Sequence, residues 1–256
     1  MTPEFGSPRT AIVTGGARRI GAAIVSALVE DGWHVLIHCR ASCDEAADVL
    51  ARLPPGRGAV VAADLALADA ADRVFAGLAG LPPPALLVNN ASRFAYDSFD
   101  DFTVEGWEAH HSANLRAPAL LTQAFAKAVP AGAGGLVVNL LDAKLAQPNP
   151  DFFTYTVSKM GFAGLTELSA RALAGRGIRV CGIAPSVTLV SGPQTRENFD
   201  AVHRTNALER GVTVDQIIAA LRFIVATPTL TGQTIMIDGG QRFLALPRDV
   251  QFMGTE

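Results

Sequence analysis

Tyr155 and Lys159 stand at i and i+4 in "YTVSK". On a helix that spacing puts both side chains on one face. An ammonium beside a phenol favours the phenolate and lowers the tyrosine pKa. Such a pair can deliver a proton near neutral pH, where an unassisted phenol, with a pKa of about 10, is poorly matched. Two tyrosines and three lysines occur in 256 residues, so a chance pairing at this spacing is rarer here than in most chains.

A second candidate is "TGGARRIG", Thr14 to Gly21, which follows the apolar run "AIV". Glycines between a strand and a helix let backbone N–H groups approach a phosphate, and the helix N-terminus adds about half a positive charge. The spacing is not GxGxxG, and two arginines, Arg18 and Arg19, fill its middle. Arg40 closes the next apolar run, "HVLIHCR", and no acid stands between His34 and Ser42. In dinucleotide folds an acid at that place binds the NAD ribose, whereas an arginine suits the 2′-phosphate of NADP. The other reading of Arg40 is a solvated surface arginine. Asp64 in "AADL" can accept from an adenine amino group or cap a helix.

These residues need a frame. Strands are predicted at Ala11–Thr14, His34–His38, Gly58–Ala62, Ala85–Asn89, Leu136–Leu140, Arg179–Ile183 and Thr234–Ile237. Amphipathic segments separate them. "IGAAIVSALVEDG" has helical spacing and stops at Gly32, "SCDEAADVLARL" starts at the cap candidate Ser42, and "TVDQIIAALRFIV" opens on a capping-box pattern, Thr213 with Gln216. Alternation of strands with helices predicts an α/β fold with a parallel sheet covered on both faces. Ligands in such folds gather at the carboxyl ends of the strands. The least regular stretch, residues 185–211, is expected to be a mobile substrate loop.

The glycine turn, "VNNAS" after the fourth strand, Asn114, "YTVSK" and the closing "IMIDGG" together resemble the short-chain dehydrogenase/reductase family. The motifs run in the family's order from Thr10 to Gly240. The resemblance implies one Rossmann-like, doubly wound domain of about seven parallel strands over residues 9–256. It implies that Tyr155 is the general acid/base, that Lys159 also bonds the nicotinamide ribose, and that Asn114 holds a water in the proton relay. The implied NADP(H) contacts are Gly15, Arg19, Ile20, Gly21, His38, Arg40, Ser42, Asp64, Leu65, Asn90, Ala91, Ser92, Tyr155, Lys159, Pro185, Ser186 and Val187.

Two departures from the family pattern occur together. Arg19 replaces the middle glycine, and Asp142 in "NLLDAKL" holds the place of a serine thirteen residues before Tyr155. Both are similar to a subgroup of pteridine reductases and dihydromonapterin reductases. In that subgroup the residues matching Ser92 and Phe94 lie against the bound pterin. A pterin presents ring nitrogens and an amino group, with which a carboxyl can exchange protons, and its flat ring can stack between Phe94 and the nicotinamide. Arg19 would then serve both cofactor and substrate. The implied substrate contacts are Arg19, Ser92, Phe94, Asp142 and Tyr155. Asp142 can instead cap a turn or pair with Lys144, and Phe94 can belong to the core. A further departure is Pro185–Ser186 where the family has proline–glycine.

The expected activity is NADPH-dependent reduction of a C=N bond in a pteridine-like heterocycle. The competing readings are a carbonyl reductase with Asp142 as a drifted serine, and a catalytically silent nucleotide-binding regulatory protein. Net charge is −3 without a lysine-rich run, which argues against nucleic acid or anionic membrane as partner. The chain is 49% apolar, yet no apolar stretch reaches the ~18 residues of a membrane span. Cys39, Cys43 and Cys181 fit neither a CxxC pair nor a disulfide framework, which points to free thiols in the cytoplasm, with no metal expected. The opening "MTPEFGSP" resembles a tag remnant and is placed outside the fold. Apolar Phe243, Leu244 and Leu246 near an edge strand, with Phe162, Leu165 and Leu168 on the Tyr155 helix, predict a homotetramer ahead of a dimer. The resemblance adds a C-terminal segment near a neighbour's site.

Overall fold

Alternate residues of the central strands enter two different cores. Ala11, Val13, Val35, Ile37, Leu86 and Val88 face one side of the sheet, and Ile12, Leu36 and Leu87 face the other. This period of two, apolar on both faces, is what a sheet buried on both sides requires. In the computed structural model, which describes residues 5–191 and 194–253, seven parallel strands lie in the order β3-β2-β1-β4-β5-β6-β7. They are β1 Thr10–Val13, β2 His34–Cys39, β3 Gly58–Ala62, β4 Pro84–Asn89, β5 Gly135–Leu140, β6 Ile178–Pro185 and β7 Thr234–Ile237. All seven predicted strands are present, displaced by two residues at most.

Helices α1 Arg19–Glu30, α2 Cys43–Ala51 and α8 Val214–Ala226 contribute to the first core through Ile24, Leu28, Val49, Ile217 and Ile224. Helices α3 Ala70–Ala76, α5 Ala117–Ala128 and α6 Phe153–Leu173 close the second through Val74, Leu121, Phe125 and Ala170. Thr213 and Gln216 form the expected reciprocal capping box on α8. Ser42 takes the predicted cap position of α2, but its side chain makes no capping bond. Helix α4 Val104–His111 runs through a wide π-type turn, Ser112–Arg116, into α5. Turns of this kind recur at functional sites, and Asn114 sits in this one.

Two segments set apart in the sequence carry structure of their own. Phe5, within the segment placed outside the fold, is buried against Trp33 at 5.6 Å between ring centroids; residues 1–4 lie outside the described residues. The stretch 185–211 contains a short helix, α7 Arg196–Val202, capped by Thr195 and anchored by buried Phe199 and Val202; residues 192 and 193 lie outside the described residues. Among the described residues no helix is long and apolar enough to cross a membrane. The strand order reverses between β1 and β4, and the crevice there opens at the carboxyl ends of the strands.

Candidate active site

The turn after β1 is held open by close backbone approach. Gly15 has φ +62°, a left-handed conformation natural to glycine. A Cβ on Gly21 would collide with the Gly15 carbonyl oxygen and the Asn90 amide. Asn90 Nδ2 donates to the Thr14 and Gly15 carbonyls at 2.9 and 3.2 Å, while Thr14 Oγ1 accepts from the Asn90 and Ala91 N–H groups at 3.0 Å each. The turn is thus sewn to the end of β4. His38 supports it from below. Its Nδ1 accepts from Gly15 N–H at 3.2 Å, so the neutral ring carries its proton on Nε2, which donates to the Ala63 carbonyl at 3.0 Å. Burial lowers its pKa and keeps it neutral. The ring, expected as a cofactor contact, is thereby engaged inside the fold as a support.

A cavity of about 450 Å³ opens above this turn. It is lined by Gly15, Arg19, Ile20, Gly21, His38, Arg40, Ser42, Asp64, Leu65, Asn90, Ala91 and Ser92, which are the predicted cofactor residues of the chain's first half. Arg40 is exposed and, among the described residues, has no hydrogen-bond or ion-pair partner. Its guanidinium is free to meet a phosphate. Arg18 instead pairs with Glu45 at 3.5 Å on the surface. Asp64 accepts from Ala66 N–H at 2.9 Å with one oxygen, so it stabilises a turn while facing the cavity. The glycine cradle, the free cation and the cavity fit a phosphorylated dinucleotide.

A second cavity of about 520 Å³ adjoins the first and shares Arg19, Ile20, Asn90 and Ser92 with it. Phe94, Asp142, Tyr155, Lys159, Pro185, Ser186 and Val187 also line it. Tyr155 donates its hydroxyl proton to Asp142 Oδ2 at 2.7 Å, and Asp142 Oδ1 accepts from Lys144 N–H at 2.8 Å. The carboxylate thus caps a turn and meets the tyrosine at once. Lys144 extends its ammonium away from Asp142, to the Asp151 carbonyl at 2.5 Å and to Asp249 at 3.4 Å. Burial raises the Asp142 pKa. Burial and the Asp142 charge hold the Tyr155 phenol well above its ordinary value. The expected lowering by Lys159 is not found: the ammonium donates to the Leu140 carbonyl at 2.7 Å and lies 5.8 Å from the phenol ring centroid. Burial lowers Lys159 itself to about 8. Tyr155 therefore retains its proton at neutral pH and offers it to the Asp142 carboxylate.

Asn114 reaches the site through the π-type turn, and its side chain is fully bonded to protein. Oδ1 accepts from Arg93 N–H at 2.7 Å and Ser92 Oγ at 3.2 Å, and Nδ2 donates to the Arg93 carbonyl and Ser158 Oγ at 3.0 Å each. It fixes the Ser92–Arg93 segment against α6. Phe94 stacks on Phe152 at 4.3 Å and meets Tyr155 edge-on at 4.7 Å, so it is half core and half cavity wall. Arg19, at φ +56°, reaches across the cleft and donates to the Val190 carbonyl at 2.6 Å. Ser186 keeps a negative φ, so serine stands without strain where the family has glycine.

Two groups escaped the sequence reading. Buried Asp97, Thr154 and His110 form one network: Thr154 bonds Asp97 through N–H and Oγ1, His110 Nδ1 lies 2.7 Å from Thr154 Oγ1, and His110 Nε2 accepts from Ala95 N–H at 3.3 Å. It fastens the segment carrying Phe94 to α4 and α6. The second group walls the cavity that holds Tyr155. Leu246, Arg248, Asp249, Val250 and Gln251 line the chain's own cavity. Arg248 grips Asp151 with two bonds of 2.9 and 3.2 Å, and Asp249 N–H adds a third at 2.8 Å. No local motif announces contacts spanning some hundred residues.

The family model for short chain dehydrogenase matches residues 9–200. The structure is similar to FolM alternative dihydrofolate reductase 1 from Brucella canis complexed with NADP, at 38% identity and TM-score 0.89, covering 94% of this chain and 96% of that one. The Brucella suis protein of the same description, also in complex with NADP, gives 38% identity and TM-score 0.88, with 92% and 95% covered. A 3-oxoacyl-[acyl-carrier-protein] reductase from Synechocystis is 29% identical over 91% of this chain and 96% of its own length.

Proposed function

The chain belongs to the short chain dehydrogenase family, and from that premise we propose that it is an NADPH-dependent reductase of a pteridine-like heterocycle of the dihydropterin or dihydrofolate type. The observation that carries the substrate class is the Tyr155–Asp142 hydrogen bond of 2.7 Å on the wall of a cavity that Arg19 shares with the dinucleotide cradle. A serine at position 142 would bond one carbonyl oxygen; a carboxyl sharing a proton with a phenol can feed a ring nitrogen. The NADP-bound Brucella neighbours support the cofactor and the substrate class.

When bound, NADPH supplies a hydride to the carbon of a C=N bond. The chain's residues do the rest. Gly15, Gly21 and the backbone they expose cradle phosphate, and Arg40 offers a planar fork to a 2′-phosphate. Tyr155 holds the proton for the ring nitrogen, its raised pKa keeps it loaded at neutral pH, and Asp142 accepts its hydrogen bond. Lys159, buried beside them, supplies the positive charge that steadies the carboxylate. Arg19 closes the cleft, Ser92 and Phe94 flank the substrate, and Asn114 holds their segment.

A carbonyl reductase is the second reading, favoured by the similarity to the Synechocystis 3-oxoacyl reductase. NADPH oxidation with dihydrobiopterin or dihydrofolate, against a panel of ketones and aldehydes, separates the two. Asp142→Ser should lower heterocycle reduction sharply. If carbonyl turnover instead dominates and persists in that variant, the heterocycle assignment is lost. The free cysteines fit a reducing cytoplasm. We further read the enzyme as a homotetramer, since Phe223, Phe243, Leu244 and Leu168 expose apolar surface near the sheet edge and on α6.

A further inference from the structure

Two of the three thiols stand together at the cofactor cradle. Cys39 ends β2 and is buried, Cys43 opens α2 and is exposed, and their sulfurs are 3.6 Å apart. Only Arg40, Ala41 and Ser42 lie between them, and all three line the dinucleotide cavity. We propose that Cys39 and Cys43 form a thiol–disulfide switch on this loop, closed by a peroxide-class oxidant, that weakens NADPH binding. The cofactor half of this inference rests on the function proposed above.

The step balances in two stages. The exposed Cys43 sulfur attacks a peroxide oxygen; the O–O bond breaks, and a sulfenic acid and water result. Cys39 then attacks that sulfur; the S–O bond breaks, the S–S bond forms and a second water leaves with the Cys39 proton. The two thiols lose two electrons, and the peroxide is reduced to two waters. Burial and the neighbouring Cys43 push the Cys39 thiol up to about 11, which suits the resolving rather than the attacking role. Cys181 is buried in the sheet core, away from this chemistry.

Closure must move the loop. A disulfide needs its sulfurs about 2.05 Å apart, so the pair must draw in by about 1.5 Å. With three residues between the ends, that shift passes directly into Arg40, the one exposed cation placed for a 2′-phosphate. Loss of a hydrogen bond to a charged group weakens binding by about ten-fold.

The test treats the full chain with hydrogen peroxide and then measures mass, thiol mapping and NADPH affinity by fluorescence titration. The expected result is a mass lower by two hydrogens, a Cys39–Cys43 cross-linked peptide with Cys181 still free, affinity reduced about ten-fold, and recovery with dithiothreitol. Cys43→Ser should bind NADPH normally and lose the peroxide response, and Cys39→Ser should stop at the sulfenic acid, trapped by dimedone. Cross-linking without loss of affinity would overturn the switch, and peroxide treatment that leaves both thiols free would overturn the site. A reduced protein that binds no NADPH overturns the cofactor reading instead, because the cross-link is read by mass alone.

Discussion

In the proposed reaction Tyr155 supplies the proton and Asp142 holds its hydroxyl. Tyr155→Phe should slow turnover by ~10²–10⁴, the usual worth of a general acid, while NADPH titration of the variant remains near wild type; full activity would remove Tyr155 from the mechanism. Lys159 sets a pH limit. Its pKa lies at about 8 rather than the ordinary 10.5 because burial disfavours its charge. Its ammonium is therefore lost as pH rises through about 8, and the turnover profile should fall on that limb. The sign for stability is opposite. Between about 8 and 10.5 the unfolded chain binds more protons than the folded one, so the Lys159 contribution grows with rising pH and is lost as pH falls through 8. Denaturant titrations across that window should show the rise in wild type and not in Lys159→Met. Arg40→Asp should turn preference from NADPH toward NADH, because a carboxylate repels a 2′-phosphate; equal use of both cofactors by the native enzyme would count against the assignment.

Among the elements, the C-terminal segment lines the Tyr155 cavity of its own chain. Asp151, just ahead of α6, ties down Arg248 and the Asp249 backbone, and so fixes one wall of the Tyr155 cavity. Asp151→Asn removes the ion pair and leaves the cradle after β1 untouched. The KM for the heterocycle should rise about ten-fold, the worth of a bond between charged groups, with NADPH affinity unchanged. Steady-state kinetics at saturating NADPH check this, and an unchanged KM would show that the segment does not shape the pocket. The π-type turn between α4 and α5 works in the same way, since it presents Asn114 to the Ser92–Arg93 segment.

At the scale of the whole molecule, the exposed apolar side chains ask for cover. Leu168 on α6 is 67% exposed and Phe243 beyond β7 is 69% exposed. Phe162, expected on that outer surface, is instead 1% exposed and packs in the chain's own core with Leu141 and Ala184. The face offered to a neighbour is narrower than the helix pattern implied, but closed two-fold contacts can still bury it. Light scattering at micromolar concentration should give about four times the chain mass of 26.8 kDa. A stable monomer that keeps full activity without the residues after Gly240 would refute both the tetramer and the wall formed by the C-terminal segment.

The sequence by itself determined the strands, the helices that separate them, the glycine cradle and the Tyr155–Lys159 pair. These depend on local periodicity, on turn chemistry and on spacing along one helix, all of which are short-range. It also brought Arg19 and Asp142 forward through their departure from the family pattern. Tertiary structure alone decided what these groups feel. The Tyr155 phenol is raised because burial and the Asp142 charge outweigh a lysine whose ammonium turns to Leu140. His38 supports the turn from inside because the carbonyl of Ala63 waits behind it. The Asp151 clamp joins residues almost a hundred positions apart. Desolvation and long-range pairing depend on which surfaces meet after folding, and no spacing along the chain encodes that directly.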